Sequence, residues 1–310
     1  MLAWSAFGHR KASVAQMRAP EFRRDLKIAI SLVYHATRAI CRYSLRLVGR
    51  PSTQRLTILY YHGVSTEHRH SFARQMDALH RGARILPASY RGELPSGRKC
   101  VAITFDDAFV SVAENALPEL AGHSFHSTIF VPVGWIGRTP GWAMEDSEPA
   151  LAAAATPELT EVVMSSEQLN ALSASLVSLE SHSVTHPSLL ELDTKQARRE
   201  IEDSRRRLAE LSGQQILGFS FPYGEHDAST VAMCRAAGYE TAYSITAEEV
   251  DTTSSELLRG RTKVDPSDGP IEFFLKFNGA YQWMGYTVPL RKALRSMFGK
   301  PAPGIRVQPH

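Results

Sequence analysis

Cysteine is scarce in this chain of 310 residues: Cys41, Cys100 and Cys234 are the three present. The count is odd, the spacings are wide and no Cys-x-x-Cys occurs. This argues against both a disulfide framework and a thiolate zinc site, and leaves three small, mostly buried thiols as the expectation. No run of about 18 apolar residues exists, so no transmembrane helix is expected. Met1 to Phe7 is apolar but short, and charges follow at once from Arg10, which does not fit a secretion signal. A cytoplasmic setting is therefore expected, with a membrane-peripheral location as the variant considered below. Repeats and low-complexity tracts are also missing.

Charge of one sign is lacking overall, since the formal net is only +3. It is unevenly placed, however. Residues 1–50 hold ten Lys/Arg against Glu21 and Asp25, a net of +8, and the remainder holds 25 basic and 30 acidic residues, a net of −5. A basic arm precedes a mildly acidic body. Nothing in the body is basic enough to suggest a nucleic-acid partner. With 43% hydrophobic residues the chain can bury a full core.

Three segments divide the chain: a basic arm at 1–50, a catalytic-sized body at 51–285, and a C-terminal helix and tail at 286–310. Residues 1–20 read as a poorly ordered tail. Residues 21–49 read as one amphipathic helix, with Leu26, Ile30, Val33, Ile40 and Leu47 roughly on one side and arginines interleaved. Gly49 and Pro51 end it. Two readings compete: ordinary packing on the body, or peripheral contact with an anionic membrane surface.

From Pro51 onward short β-branched runs alternate with helical patterns. The strand expectations are Leu56–His62, Val101–Asp107, Ser127–Val133, Leu176–His182, Ile216–Pro222, Thr241–Ile245 and Leu257–Val264. Helices are expected near Arg69–His80, Ser111–Leu120, Ser166–Ala174, Asp193–Leu211 and Asp227–Ala237. Ser165 with Gln168 has the spacing of a capping box, and Asp193 suits an N-cap. Alternation of this kind predicts parallel βαβ units, in a barrel or a doubly wound sheet.

Polar residues with chemical potential fall at the strand ends. Asp106 and Asp107 close one strand, His182 another, and Pro222-Tyr223 a third. In a β/α barrel these ends share one rim. Thr104-Phe105-Asp106-Asp107 alone is equally an acidic turn. His182-Ser183-Val184-Thr185-His186-Pro187 alone is equally two loop histidines, although imidazoles four apart can share one metal ion. Pro187 disfavours α geometry at His186, so the motif belongs to a loop. Phe219-Ser220-Phe221-Pro222-Tyr223-Gly224 could aim a backbone N–H at an oxyanion. Together, two His and one Asp form a three-ligand set, with a second Asp left as a base for metal-assisted hydrolysis.

These motifs, in this order, resemble the polysaccharide deacetylases with the NodB-type domain, also called carbohydrate esterase family 4. The resemblance runs from about residue 55 to 265. Ile58-Leu59-Tyr60-Tyr61-His62, Thr128-Ile129-Phe130-Val131-Pro132 and Met164-Ser165-Ser166-Glu167-Gln168-Leu169 add to it. It implies a distorted (β/α)7 barrel, here preceded by the N-terminal basic amphipathic helix. It implies that Asp107, His182 and His186 hold a divalent metal ion, most often zinc. Asp106 becomes the general base, and the Tyr223 N–H contributes to the oxyanion site. The implied activity is removal of N-acetyl groups from an amino-sugar polysaccharide or oligosaccharide. Departures are visible. Ala108 stands where many members have Gly. Ser220 stands where many have the Arg that orients the base, making Arg259 or Arg261 the candidates to replace it. The Leu-x-His that supplies the acid is absent, since only His310 follows His226. His62 is the candidate acid on the same rim, and Asp106 could instead carry the proton by itself.

The expected partner is an N-acetylated glycan, with Trp135, Trp142 and Trp283 as candidate stacking faces. Lacking a signal and bearing a basic arm, the chain suits a lipid-linked or nascent exopolysaccharide intermediate at a membrane face. Two other classes stay open: a same-fold hydrolase of another amide or O-acetyl ester, and a non-catalytic glycan-binding or assembly protein.

Overall fold

A computed structural model describes residues 6–50, 53–141, 161–172 and 174–286. The expected C-terminal helix and tail lie outside the described residues from 287 onward. So does Trp142.

A ring of parallel strands forms the body. These are β1 (Leu56–Tyr61), β3 (Lys99–Phe105), β4 (Ser127–Val131), β5 (Val177–Ser181), β6 (Gly218–Ser220), β7 (Thr241–Tyr243), β9 (Leu258–Arg259) and β10 (Thr262–Lys263). The order is β10-β1-β3-β4-β5-β6-β7-β9. One run expected as a single strand, Leu257–Val264, is therefore two short pieces. Its first piece pairs with β7 and its second with β1, so one stretch of chain joins both ends of the sheet. This is the seventh position of a nearly closed (β/α)7 barrel. Gly260 sits at the break, where a Cβ would lie 2.1 Å from the Glu248 side chain and 2.3 Å from the Thr246 carbonyl.

Two short strands were not anticipated. β2 (Ala83–Ile85) pairs parallel with the start of β3, and β8 (Glu249–Val250) pairs antiparallel with the start of β1. β1 and β4 are buried along their whole length, as parallel strands covered on both faces must be. Helices α2 (Arg69–Gly82), α3 (Leu117–Gly122), α4 (Ser166–Asn170), α5 (Thr194–Ser212) and α6 (Ala228–Ala236) lie near their expected places. Ser165 with Gln168 and Asp193 with Gln196 form capping boxes. The helix expected over Ser111–Leu120 begins instead as a π-turn, Val112–Ala116. Pro118, which has no N–H to give back to Glu114, accounts for the change of pattern.

Helix α7 (Pro270–Phe277) is an addition; its polar pair, Glu272 and Lys276, is buried while Ile271 and Phe274 are exposed, the reverse of the pattern that marks a surface helix. The N-terminal helix α1 spans Ala6–Leu47, so it starts well before the expected residue 21 and replaces most of the expected tail. Ala, Gln, Met and Arg, abundant over residues 10–19, favour that extension. α1 packs against α7 and β8 through a mixed face: Arg24 pairs with Glu272, Arg38 with Glu249, Ser31 is fully buried, and Ile28 and Tyr34 pack against the cluster of Leu275, Ala280 and Tyr281. The helix does pack on the body, while Leu26, Ile30, Val33, Ile40 and Leu47 stay exposed. Cys100 and Cys234 are buried thiols, whereas Cys41 is exposed on α1.

Candidate active site

Parallel strands bring their C-terminal ends to one rim, and the predicted residues gather there. Asp106 and Asp107 follow β3, His182 follows β5, and Phe221-Pro222-Tyr223 follow β6. The ladders continue just far enough to place them. Asp106 N–H donates to the Tyr61 carbonyl, His182 N–H to Val131, and Phe221 N–H to Tyr243. Beyond that the chain turns sharply. Asp107, Ala108, Ser183, His186 and Tyr223 all have positive φ, between 52° and 67°. Left-handed backbone at non-glycine residues is costly and tends to collect at functional sites. Ala108 at φ 52° also explains in physical terms why glycine suits that position.

Three side chains converge. Asp107 Oδ1 lies 3.7 Å from His182 Nε2 and 3.6 Å from His186 Nε2. One ligand atom from each residue lies within 4.8 Å of the others, and all three residues are buried. These gaps are too long for hydrogen bonds. They are close to the roughly 3.3 Å that separates ligand atoms around one tetrahedral zinc. His182 Nδ1 donates to the Ser220 carbonyl at 2.8 Å, which fixes its tautomer and turns the Nε2 lone pair toward Asp107. Burial pushes His182 down to about 4 and His186 to about 2, so both imidazoles are neutral near pH 7 and able to ligate. The donor set, two neutral imidazoles and a carboxylate, fits a divalent cation.

The loop carrying His186 is tied down on two sides. His186 N–H donates to Ser183 Oγ. Glu200, on α5, accepts from the Val184 and Thr185 N–H groups and from the Thr185 hydroxyl. Trp135 donates to the Thr185 carbonyl at 3.1 Å, which puts one of the candidate stacking rings beside this loop. Trp283 is elsewhere: its Nε1 donates to Ser31 on α1, so it is not at the site.

Asp106 is held by Arg261. The guanidinium is fully buried and all five of its N–H groups have acceptors. Nε faces the Ser244 carbonyl, NH1 reaches Thr104 Oγ1 and Asp106 Oδ1, and NH2 reaches Asp106 Oδ2 and Ser220 Oγ. The two Asp106 contacts are 2.7 and 2.8 Å, a bidentate fork. Tyr60 and Phe130 rings flank the cation at 4.8 and 5.1 Å. Burial alone would raise the Asp106 carboxyl, but the Arg261 charge overcomes it and holds the group well below the ordinary carboxylate range. Of the two sequence candidates, Arg261 meets Asp106; Arg259 donates to the Ala88 carbonyl instead.

A cavity of about 240 Å³ opens onto these groups. His62 and Tyr223 line it with Asp106, Asp107, His182 and His186. Tyr60, Ile245 and Lys263 line it too and were not anticipated. Lys263 stands two residues after Arg261, a spacing that could have marked it. The Tyr223 ring packs edge-on to His186 at 4.8 Å. Its turn depends on Gly224, where φ is +66° and a Cβ would lie 2.3 Å from Ile245.

Residues 93–242 match the family model described as polysaccharide deacetylase. Residues 93–242 form a polysaccharide deacetylase domain. The Bacillus subtilis protein YxkH, whose name assigns it provisionally to the polysaccharide deacetylases, is 28% identical over 198 residues, covering 60% of this chain. The chain spans 63% of that relative's length. Among solved structures, the Streptococcus pyogenes deacetylase PplD, in complex with acetate, superposes with a TM-score of 0.58 at 18% identity, covering 73% of this chain and 99% of that one. IcaB from Ammonifex degensii gives 0.58 at 23% identity, with 76% and 98% covered. A de-N-acetylase from Aggregatibacter actinomycetemcomitans gives 0.53 at 15% identity, with 70% and 97% covered. These likenesses show that the polysaccharide deacetylase barrel is shared. The matched region contains Asp106, Asp107, His182, His186 and Tyr223 and ends before Arg261.

Proposed function

We propose that the chain is a metal-dependent hydrolase that removes N-acetyl groups from an amino-sugar polysaccharide or oligosaccharide, such as an exopolysaccharide intermediate. One observation carries the reading: Asp107, His182 and His186 converge in a buried cluster, with a second carboxylate, Asp106, clamped beside it on the same cavity. The polysaccharide deacetylase match over residues 93–242 supports it, and so does the likeness to the Aggregatibacter de-N-acetylase.

Asp107, His182 and His186 would hold the cation, with zinc the expected ion for an N,N,O donor set. When bound, it supplies Lewis acidity toward the acetamide carbonyl and a water of lowered pKa. Asp106 takes the proton from the attacking water. Arg261 uses two of about four carboxylate lone-pair directions and leaves others for that proton. The same clamp keeps Asp106 ionised between turnovers and disposes it to pass the proton on. The Tyr223 N–H donates to the oxygen on which charge develops. His62, on the cavity wall, delivers a proton to the departing sugar amine.

The test is acetate release from N-acetylglucosamine oligomers by purified protein. Release should stop with a chelator and return with added zinc. Asp106→Asn should retain zinc and lose about two to four orders of magnitude in rate. Release that ignores the chelator, or that occurs only from O-acetylated glycans, would overturn the reading. Zinc binding with no turnover of any acetylated glycan would favour a glycan-binding protein.

A further inference from the structure

The N-terminal helix is mounted on the barrel through the face that carries its ion pairs, with Ile28 and Tyr34 packed beside them. Arg24 reaches Glu272, and Arg38 and Arg42 reach Glu249, while Ser31 is buried between them. At about 100° per residue these four positions share one narrow face. Phe22, Leu26, Val33, Ile40 and Leu47 lie on the opposite face, each between 49% and 70% exposed. Leu32 and Ile30, also exposed, widen the apolar surface to roughly 160° of the helix circumference. Nothing among the described residues covers it. Contiguous apolar surface of this kind on a folded protein marks an interaction site.

Charge indicates what covers it. Over residues 22–50 there are seven Lys/Arg and one acid, Asp25. The body's acids take up Arg24, Arg38 and Arg42. Arg23 and Lys27 remain along one margin of the apolar face and Arg46 along the other, all exposed. Long basic side chains at the margins of a buried apolar face can extend to phosphate headgroups. A two-stranded coiled coil would want a narrow seam with charged flanks, whereas Ile30 and Leu32 stand in the flanking positions here. We infer that α1 is a membrane-docking element that lays its outer face into the surface of an anionic lipid bilayer and holds the barrel there.

The experiment is vesicle flotation of the full chain with phosphatidylcholine vesicles, with and without phosphatidylglycerol. Binding should require the anionic lipid and weaken with salt. Val33→Glu with Ile40→Glu should reduce partitioning at least about tenfold. Both side chains point away from the body, so circular dichroism and thermal unfolding should match wild type. Arg23→Glu with Lys27→Glu should reduce binding to anionic vesicles as well. Wild-type protein that floats with neither vesicle overturns the inference, as does a V33E/I40E variant that binds like wild type. A concentration-dependent dimer abolished by V33E/I40E, without vesicle binding, overturns it in favour of a second copy of the chain. No turnover is needed for the readout, so this inference and the hydrolase reading stand or fall separately.

Discussion

Replacing Arg261 tests how Asp106, the proposed base, is held. The guanidinium has no exposed surface and spends two N–H groups on Asp106, and one each on Thr104, Ser220 and Ser244. Arg261→Met removes the partner of a buried carboxylate, a change that typically costs about 3–5 kcal/mol. Arg261→Lys keeps the charge but offers three donors from one nitrogen and cannot fork across both oxygens. Its stability loss should be smaller, about 1–3 kcal/mol. Its catalytic loss should remain large, because a base displaced by about 1 Å can lose about a hundredfold in rate. Denaturant unfolding and acetate release measure the two effects separately. Because Ser220 Oγ lies 2.8 Å from the guanidinium, an Arg introduced at 220 in an Arg261→Ser background should restore part of the rate. Wild-type turnover in R261K would refute the claim that the fork positions the base.

Three further outcomes follow from other contacts. Glu249→Gln leaves Lys99 and Arg38 facing a neutral group and should cost about 3 kcal/mol near neutral pH by denaturant unfolding. Burial works against the Glu249 charge, but Lys99 and Arg38 hold the carboxyl below its ordinary value. Its stabilisation is therefore present above the unfolded value near 4.3 and lost as pH falls through the folded value. The gap between wild type and E249Q should accordingly narrow toward acid; a gap independent of pH would contradict the assignment. Gly137→Ala and Gly224→Ala both place a Cβ at positive φ, but only the second meets a wall, Ile245 at 2.3 Å. The first should cost about 1 kcal/mol and the second at least about 2, with a fall in acetate release. Equal costs would show that the turn under Tyr223 yields easily. His62→Asn should slow acetate release at least about tenfold with zinc content unchanged, and an unaltered rate would remove His62 from proton delivery.

Much of the barrel and its rim was legible because parallel strands impose two simple rules. Buried strands read as short β-branched runs, and their C-terminal ends converge. Asp106, Asp107, His182 and His186 could be placed together on those grounds before any distance was known. Arg259 and Arg261 could not be told apart, since residues two apart on a strand face the same way. The break at Gly260 splits the strand in two and sends only Arg261 to Asp106. The mounting of α1 was illegible for a different reason. Periodicity shows that a helix has two faces, and burial of the apolar one is the usual outcome. The acids that invert the choice, Glu249 and Glu272, lie more than two hundred residues downstream. Helix α7 was hidden because its charged Glu272 and Lys276 are buried while Ile271 and Phe274 are exposed, and Trp283 was diverted to α1 by a hydrogen bond to Ser31 that no local pattern announces.

The central claim is most directly tested by the zinc stoichiometry of chelator-stripped protein. Wild type and Asp106→Asn should each bind one equivalent tightly, whereas Asp107→Ala and His186→Ala should lose that binding. Tight zinc binding that survives both of these ligand substitutions, or that disappears with Asp106→Asn alone, would contradict the assigned roles.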